Sequence, residues 1–241
     1  EGWIIVDGAP ISIGTFSVDL TGVASQSQFT VDSEMLSKAT KFVVSIEPNP
    51  DSSPLPTDTK IFTGDFNENL AVLNTGTVAS FADISGKFII GTPTGTGAED
   101  EKHSGIWFLD NSSGSAVAGL KLPVLKAGWK YEGWVSIEGK LLSTGKFISA
   151  SGLDEAAPFS GVNAAPAYPG EDFLENAPEG LQFPEDLRGR FVVISVEPFP
   201  DNSPKQFTLK PLFGKIPNDA IGVQAIGINI VTSFPTGSAT R

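Results

Sequence analysis

One apolar strand is written twice in this chain, and that duplication limits the folds open to it. Arg190-Phe191-Val192-Val193-Ile194-Ser195-Val196-Glu197-Pro198, followed by Phe199-Pro200-Asp201-Asn202-Ser203-Pro204, repeats Lys41-Phe42-Val43-Val44-Ser45-Ile46-Glu47-Pro48, followed by Asn49-Pro50-Asp51-Ser52-Ser53-Pro54. Each copy is a β-branched apolar run stopped by Glu-Pro and closed by a Pro/Asp/Ser turn, the pattern of a buried strand with a sharp exit. Glu1-Gly2-Trp3-Ile4-Ile5-Val6-Asp7-Gly8 likewise matches Glu132-Gly133-Trp134-Val135-Ser136-Ile137-Glu138-Gly139, an offset of 131 from Trp3 to Trp134. Asp-Gly and Glu-Gly between apolar runs predict hairpins, because glycine accepts positive φ where the chain reverses.

At the Glu-Pro strand the offset is 150, from Glu47 to Glu197, so the second copy carries a net insertion of 19 residues, within about 149–188. Gly86 to Gly95 and Gly227 to Gly237 share Pro-Thr-Gly and are read as the final strand of each copy. The expected domains are then a first β unit over 1–97, a linker over 98–103 and a second, complete β unit over 104–241. Ser104 to Tyr131 has no counterpart before Glu1, so the first unit lacks the front strands of the repeat. A sheet short of a strand exposes unpaired backbone groups and invites pairing with another chain, so either residues before Glu1 were removed, the simpler expectation, or a neighbouring molecule supplies the missing strand.

With 26 Gly, 18 Pro and no long stretch at helical spacing, the chain reads as all-β: two tandem sandwich-like (Ig-like) antiparallel domains. A net charge of −12 excludes a phosphate-binding surface and with it nucleic acid as a partner. The absence of cysteine excludes disulfides, thiolate metal sites and thiol nucleophiles. No apolar run reaches the length of a transmembrane segment.

The segments Tyr131-Glu132-Gly133-Trp134, Ser143-Thr144-Gly145-Lys146-Phe147, Val193 to Pro198 and Ser203-Pro204 resemble the extracytoplasmic β-domain of anti-sigma-K factors. The resemblance implies a sandwich-like module outside the cytoplasm, here in tandem copies within a secreted bacterial protein. The family's regulatory activity resides in a cytoplasmic segment joined through a membrane helix, so fold and compartment are what the resemblance carries over.

No catalytic constellation is expected. His103, the single histidine, falls in the linker beside acidic residues, and no nucleophile elbow, phosphate loop or dinucleotide fingerprint stands between a strand and a helix. Glu47 and Glu197, repeated at one position, read as structural acceptors for the amides of the following turn. No cofactor is expected; calcium would draw on Glu171, Asp172 and Asp154 in the insertion, which lack the spacing of a calcium loop. Candidate interaction residues are Trp129, Tyr168, Phe173 and Trp3, since flat rings offer much contact area at small entropy cost. The leading expectation is a non-catalytic extracellular or cell-surface protein with a structural or interaction role, pairing head to tail with copies of itself into a filament by strand complementation. The alternatives are an extracytoplasmic sensor module related to anti-sigma signalling and a carbohydrate-binding module whose glycan would stack on Trp129.

Overall fold

The computed structural model describes residues 1–241 apart from Leu20, Asn202 and 231–233. Part of the expected final strand of the second copy, at 231–233, therefore lies outside the described residues. The protein is nearly all β, built from several antiparallel sheets, with the short helix α1 at Ser33–Lys38. Asp32 caps that helix by accepting from the backbone amides of Glu34 and Met35.

The first sheet contains β1 (Gly2–Val6), β2 (Ala9–Gly14), β3 (Lys41–Ser45), β4 (Lys60–Asn67) and β5 (Leu70–Leu73). The second copy forms β11 (Trp129–Ile137), β12 (Lys140–Phe147), β14 (Phe191–Pro198) and β15 (Leu212–Lys215) in the matching order β12-β11-β14-β15. Their registers coincide. Gly2 pairs with Gly14 and Trp3 with Ser12, skipping Ile13; Gly133 pairs with Gly145 and Trp134 with Ser143, skipping Thr144. That shared bulge puts Gly14 and Gly145 at φ of 125° and 111°, where a side chain is strained. The hairpin turns also match, with positive φ at Asp7-Gly8 and Glu138-Gly139.

The remaining strands depart from the expected boundaries. They are β6 (Ser85–Ile90), β7 (Gly105–Trp107), β8 (Leu109–Asp110), β9 (Val117–Ala118), β10 (Leu120–Lys121), β13 (Gly170–Asp172), β16 (Val223–Ile226) and β17 (Gly237–Thr240). The reading of β6 as the last strand of the first unit is corrected by its pairings: it bonds β7, β10 and β16, all strands of the second unit. Conversely β17, which falls within the 104–241 expected for the second unit but beyond the expected final strand Gly227 to Gly237, bonds β5 of the first. The two occupy the same place. Gly86 to Ile89 run antiparallel to Ile226 to Val223 just as Gly237 to Thr240 run antiparallel to Leu73 to Leu70. Pro-Thr-Gly is thus a false register mark, following β6 in one copy and preceding β17 in the other.

Residues 98–103 are likewise a turn and not a linker. The strands on either side pair with each other, Ile89 with Trp107 and Ile90 with Ile106. Glu101 pins the turn by accepting from the amides of Thr96 at 2.7 Å and Gly97 at 3.1 Å. The front segment from Ser104 supplies β7 to β10, and the insertion supplies β13, which pairs with β7.

These strands cover one face of the second unit. Phe88, Ile106, Phe108 and Phe173 are buried in one cluster with Val135, Phe147, Val192, Ile194, Leu212 and Ile216. Phe88 is fully buried, and replacing Phe88 by Ala should cost about 3–5 kcal/mol through lost burial and the cavity left behind. Denaturant titration of the variant measures that cost, and a loss near zero would show that β6 does not seat there.

Candidate functional site

The polar centre of each repeat is a relay running from an indole to a turn. In the second unit, Trp134 Nε1 donates to Ser195 Oγ at 2.8 Å, and both carboxylate oxygens of Glu197 accept the Phe207 amide at 3.0 Å. In the first, Trp3 Nε1 donates to Ser45 Oγ at 2.7 Å, Ser45 Oγ donates to Glu47, and Glu47 accepts the Thr57 amide at 3.1 Å. The expected structural role of Glu47 and Glu197 is the one these bonds describe: each closes the loop that follows its own strand. The next acid does the same locally, since Asp51 and Asp201 accept the amides of Ser53 and Ser203 at 2.8 Å.

Around Glu197 lies a group that the sequence reading did not single out. Glu132, on β11, sits across from Ser195 on β14 and Lys146 on β12, so strand pairing alone gathers them. One carboxylate oxygen from each of Glu132, Glu197 and Asp201 lies within 4.8 Å of the other two. Lys146 Nζ donates to Asp201 Oδ2 at 2.9 Å and lies 3.8 Å from Glu132 Oε2, which has no hydrogen-bond partner. Burial pushes the Glu132 carboxyl up to about 7, with Ser143 and Lys146 opposing that rise, and burial raises Glu197 as well. Burial works against the Lys146 ammonium, but its bond to Asp201 and the charge of Glu132 outweigh this and hold its pKa above the ordinary value. Among the described residues this is the carboxylate set close enough to share a cation, and the lysine already stands beside it as counter-ion. The signal was present in the repeat: Glu1, Glu47 and Asp51 stand at the matching positions, with Thr15 in place of Lys146.

The expected calcium carboxylates have other partners. Asp172 accepts from Trp107 Nε1 at 2.6 Å and from the Thr94 amide at 2.8 Å. Glu171 accepts from Ser160 Oγ and from the Asp172 amide, and Asp154 accepts the Gly170 amide at 2.9 Å. They are buried or half-buried acceptors that fasten β13 and the insertion to β7, and burial raises all three pKa values.

Three of the four interaction candidates are corrected by burial. Trp3 and Phe173 are almost wholly enclosed, Phe173 against Phe159 and Phe183, and Trp129 is only 4% exposed beside Phe207. Trp129 therefore offers no open ring to a sugar; it alternates inward with Tyr131 on β11. Tyr168 is half-buried and donates its hydroxyl to Ala116 O at 2.7 Å. His103 is half-buried, its carbonyl accepting the Leu187 amide at 2.9 Å.

A different surface opens on the first unit. A groove of about 830 Å³ is lined by Phe16, Phe29, Phe42, Val44, Phe62 and Phe66, among others. Apart from Phe29 these stand at the positions of Phe147, Val192, Ile194, Leu212 and Ile216, every one of them buried in the second unit. Ala239 of β17 faces this groove at the position where β6 carries Phe88.

Compared with protein-family profiles, curated proteins and solved structures, the chain gives no match.

Two measurements check the polar centre. Ser195→Ala leaves the buried Trp134 N–H without its acceptor and should cost about 1–3 kcal/mol in denaturant titration. The pH dependence follows from Glu132 and Glu171, both raised to about 7, and Asp154, raised to about 6. Their unfolded forms lose protons near the ordinary carboxylate range, so between those values the folded state holds more protons, and stability falls as pH rises. The contribution is complete in mild acid and is lost by about pH 7. Thermal unfolding should show a higher Tm near pH 5 than near pH 8, with the difference reduced in Glu132→Gln; a Tm that rises over this interval would contradict the assignment.

Proposed function

We propose that this chain is a non-catalytic structural or interaction protein of the extracellular space or cell surface, built from two sandwich-like (Ig-like) units and associating with copies of itself. The observation that carries the reading is the difference between two equivalent sheet faces. The second unit's face lies beneath Phe88, Ile106, Phe108 and Phe173, whereas Phe42, Phe62 and Phe66 of the first line an open groove. An apolar face of this kind is stabilised by contact with another molecule, since each Å² removed from water contributes roughly 25 cal/mol.

The buried carboxylates support a scaffold over an enzyme, because Glu197, Glu171 and Asp172 spend their lone pairs on amides and hydroxyls of the protein itself. The net charge of −12 suits a solvated surface outside the cell, and the resemblance of the strand-and-turn motifs to anti-sigma-K extracytoplasmic domains favours the same compartment. No helix among the described residues is long and apolar enough to cross a membrane.

Sedimentation velocity and negative-stain imaging over a concentration series test this reading. Extended particles that grow with concentration are expected, and Phe62→Glu, which sets a charge in the groove, should reduce them severalfold while leaving the far-ultraviolet circular dichroism unchanged. Monodisperse monomers at the highest concentration would overturn it.

A further inference from the structure

The repeat shows how strands are handed on. After β5 ends the first unit's run, the chain crosses to the second unit and lays β6 against β16. After β16 ends the second unit's run, the chain repeats the step and lays β17 against β5, the equivalent edge of a first unit. In both cases a strand leaves the unit that precedes it and completes a different one.

We propose that the β5 edge of the first unit is a strand-acceptor site whose partner is β17 of a second copy of this chain. The proposal rests on the self-association reading and adds to the open groove a second contact between copies. Among the described residues, the bonds that seat β17 and Arg241 all go to the first unit. The ladder runs from Gly237 opposite Leu73 to Thr240 opposite Leu70, and the Arg241 amide donates to Asn69 O at 3.0 Å. The Arg241 guanidinium donates to Ala39 O at 2.5 Å, Leu36 O at 3.1 Å and Glu68 O at 3.0 Å, and lies 4.8 Å from the centre of the Phe66 ring. A cation at the carbonyl end of α1 and over an aromatic face gives the strand a polar anchor as well as a ladder.

Every one of those acceptors is present on any copy of the chain, so donation between copies reproduces the same contacts. Exchange of identical elements is a low-cost route to assembly, and head-to-tail donation that does not close on itself gives an open chain. The two routes differ in concentration: the tethered strand competes at an effective concentration on the order of millimolar, so exchange grows as the protein is concentrated. The site favours an extended segment with small residues facing the groove, followed by a cation, as in Gly237-Ser238-Ala239-Thr240-Arg241.

Engineered disulfides read this directly, because the chain has no cysteine of its own. Val72 and Ser238 stand opposite each other on β5 and β17, both exposed. Directly opposed residues of an antiparallel pair have Cα atoms about 4.5–5.5 Å apart, within disulfide reach. Full-length Val72→Cys and Ser238→Cys proteins are mixed, concentrated and oxidised, beside the Val72→Cys/Ser238→Cys double variant. The expected result is a covalent species joining one copy of each single variant, with the cross-linked peptides being those that carry the two introduced thiols. Its yield should rise at least severalfold over a tenfold increase in concentration and fall severalfold when Arg241→Ala is added to the Ser238→Cys partner. The proposal is overturned if the double variant closes within single chains at every concentration and the mixture gives no heterologous link. It is equally overturned if the double variant neither closes nor links, because β17 then does not lie on β5. Imaging of the same samples separates the two readings: extended particles without the link remove strand donation and keep self-association, and monomers without the link remove both.

Discussion

At Trp3 and Trp134 the buried indole N–H finds its acceptor on the neighbouring strand, and that bond ties together strand, bulge and turn. Trp3 and Trp134 point into their sheets and donate to Ser45 and Ser195 on the adjacent strand, fixing β1 against β3 and β11 against β14. The glutamate two residues beyond each serine then accepts an amide from the loop after its strand. An unpaired donor at either indole would cost about as much as several favourable surface contacts together, so the register on both sides of the central strand is over-determined. The shared bulges at Ile13 and Thr144 follow, since a one-residue slip would turn the tryptophans to the other face.

The two sheets are copies, but their coverings are not. In the second unit the 19-residue insertion contributes β13, and the segment after β6 contributes β7 and β10, so aromatic side chains close over Val192, Ile194 and Leu212. In the first, the described residues of the corresponding interval form an isolated Val18–Ala24 bridge, coil and α1, and β17 brings Ala239 where β6 brings Phe88. One aromatic side chain and three short strands separate a closed core from an open groove. The proposed association rests on that difference.

Much of the architecture was legible. The Glu-Pro strands, the Asp-Gly and Glu-Gly hairpins and the 131 and 150 offsets each encode a local requirement: a β-branched run, positive φ at glycine, a proline that ends a ladder. The structural part of Glu47 and Glu197 was legible for the same reason, since acceptor and turn are near in sequence. The Glu132, Lys146, Asp201 group was not, because its members meet only through strand pairing across β12, β11 and the loop after β14. Trp129 misled because glycine and lysine beside it suggest a surface, whereas its alternation with Tyr131 sets it inward. The insertion's carboxylates read as calcium candidates, but they face inward to hold β13, and burial raises their pKa values.

By itself the sequence determined the strand set of each repeat, because side-chain branching, glycine and proline act over a few residues and need no distant partner. Only the tertiary structure decided which unit each strand completes. A β ladder is made by backbone amides and carbonyls that every residue but proline carries, so Gly237-Ser238-Ala239-Thr240 fills the place of Gly86-Lys87-Phe88-Ile89 with little side-chain resemblance. The chain that looked like two units in series is two units that complete each other with exchanged strands, and the duplicated Glu-Pro strand stands at the centre of both.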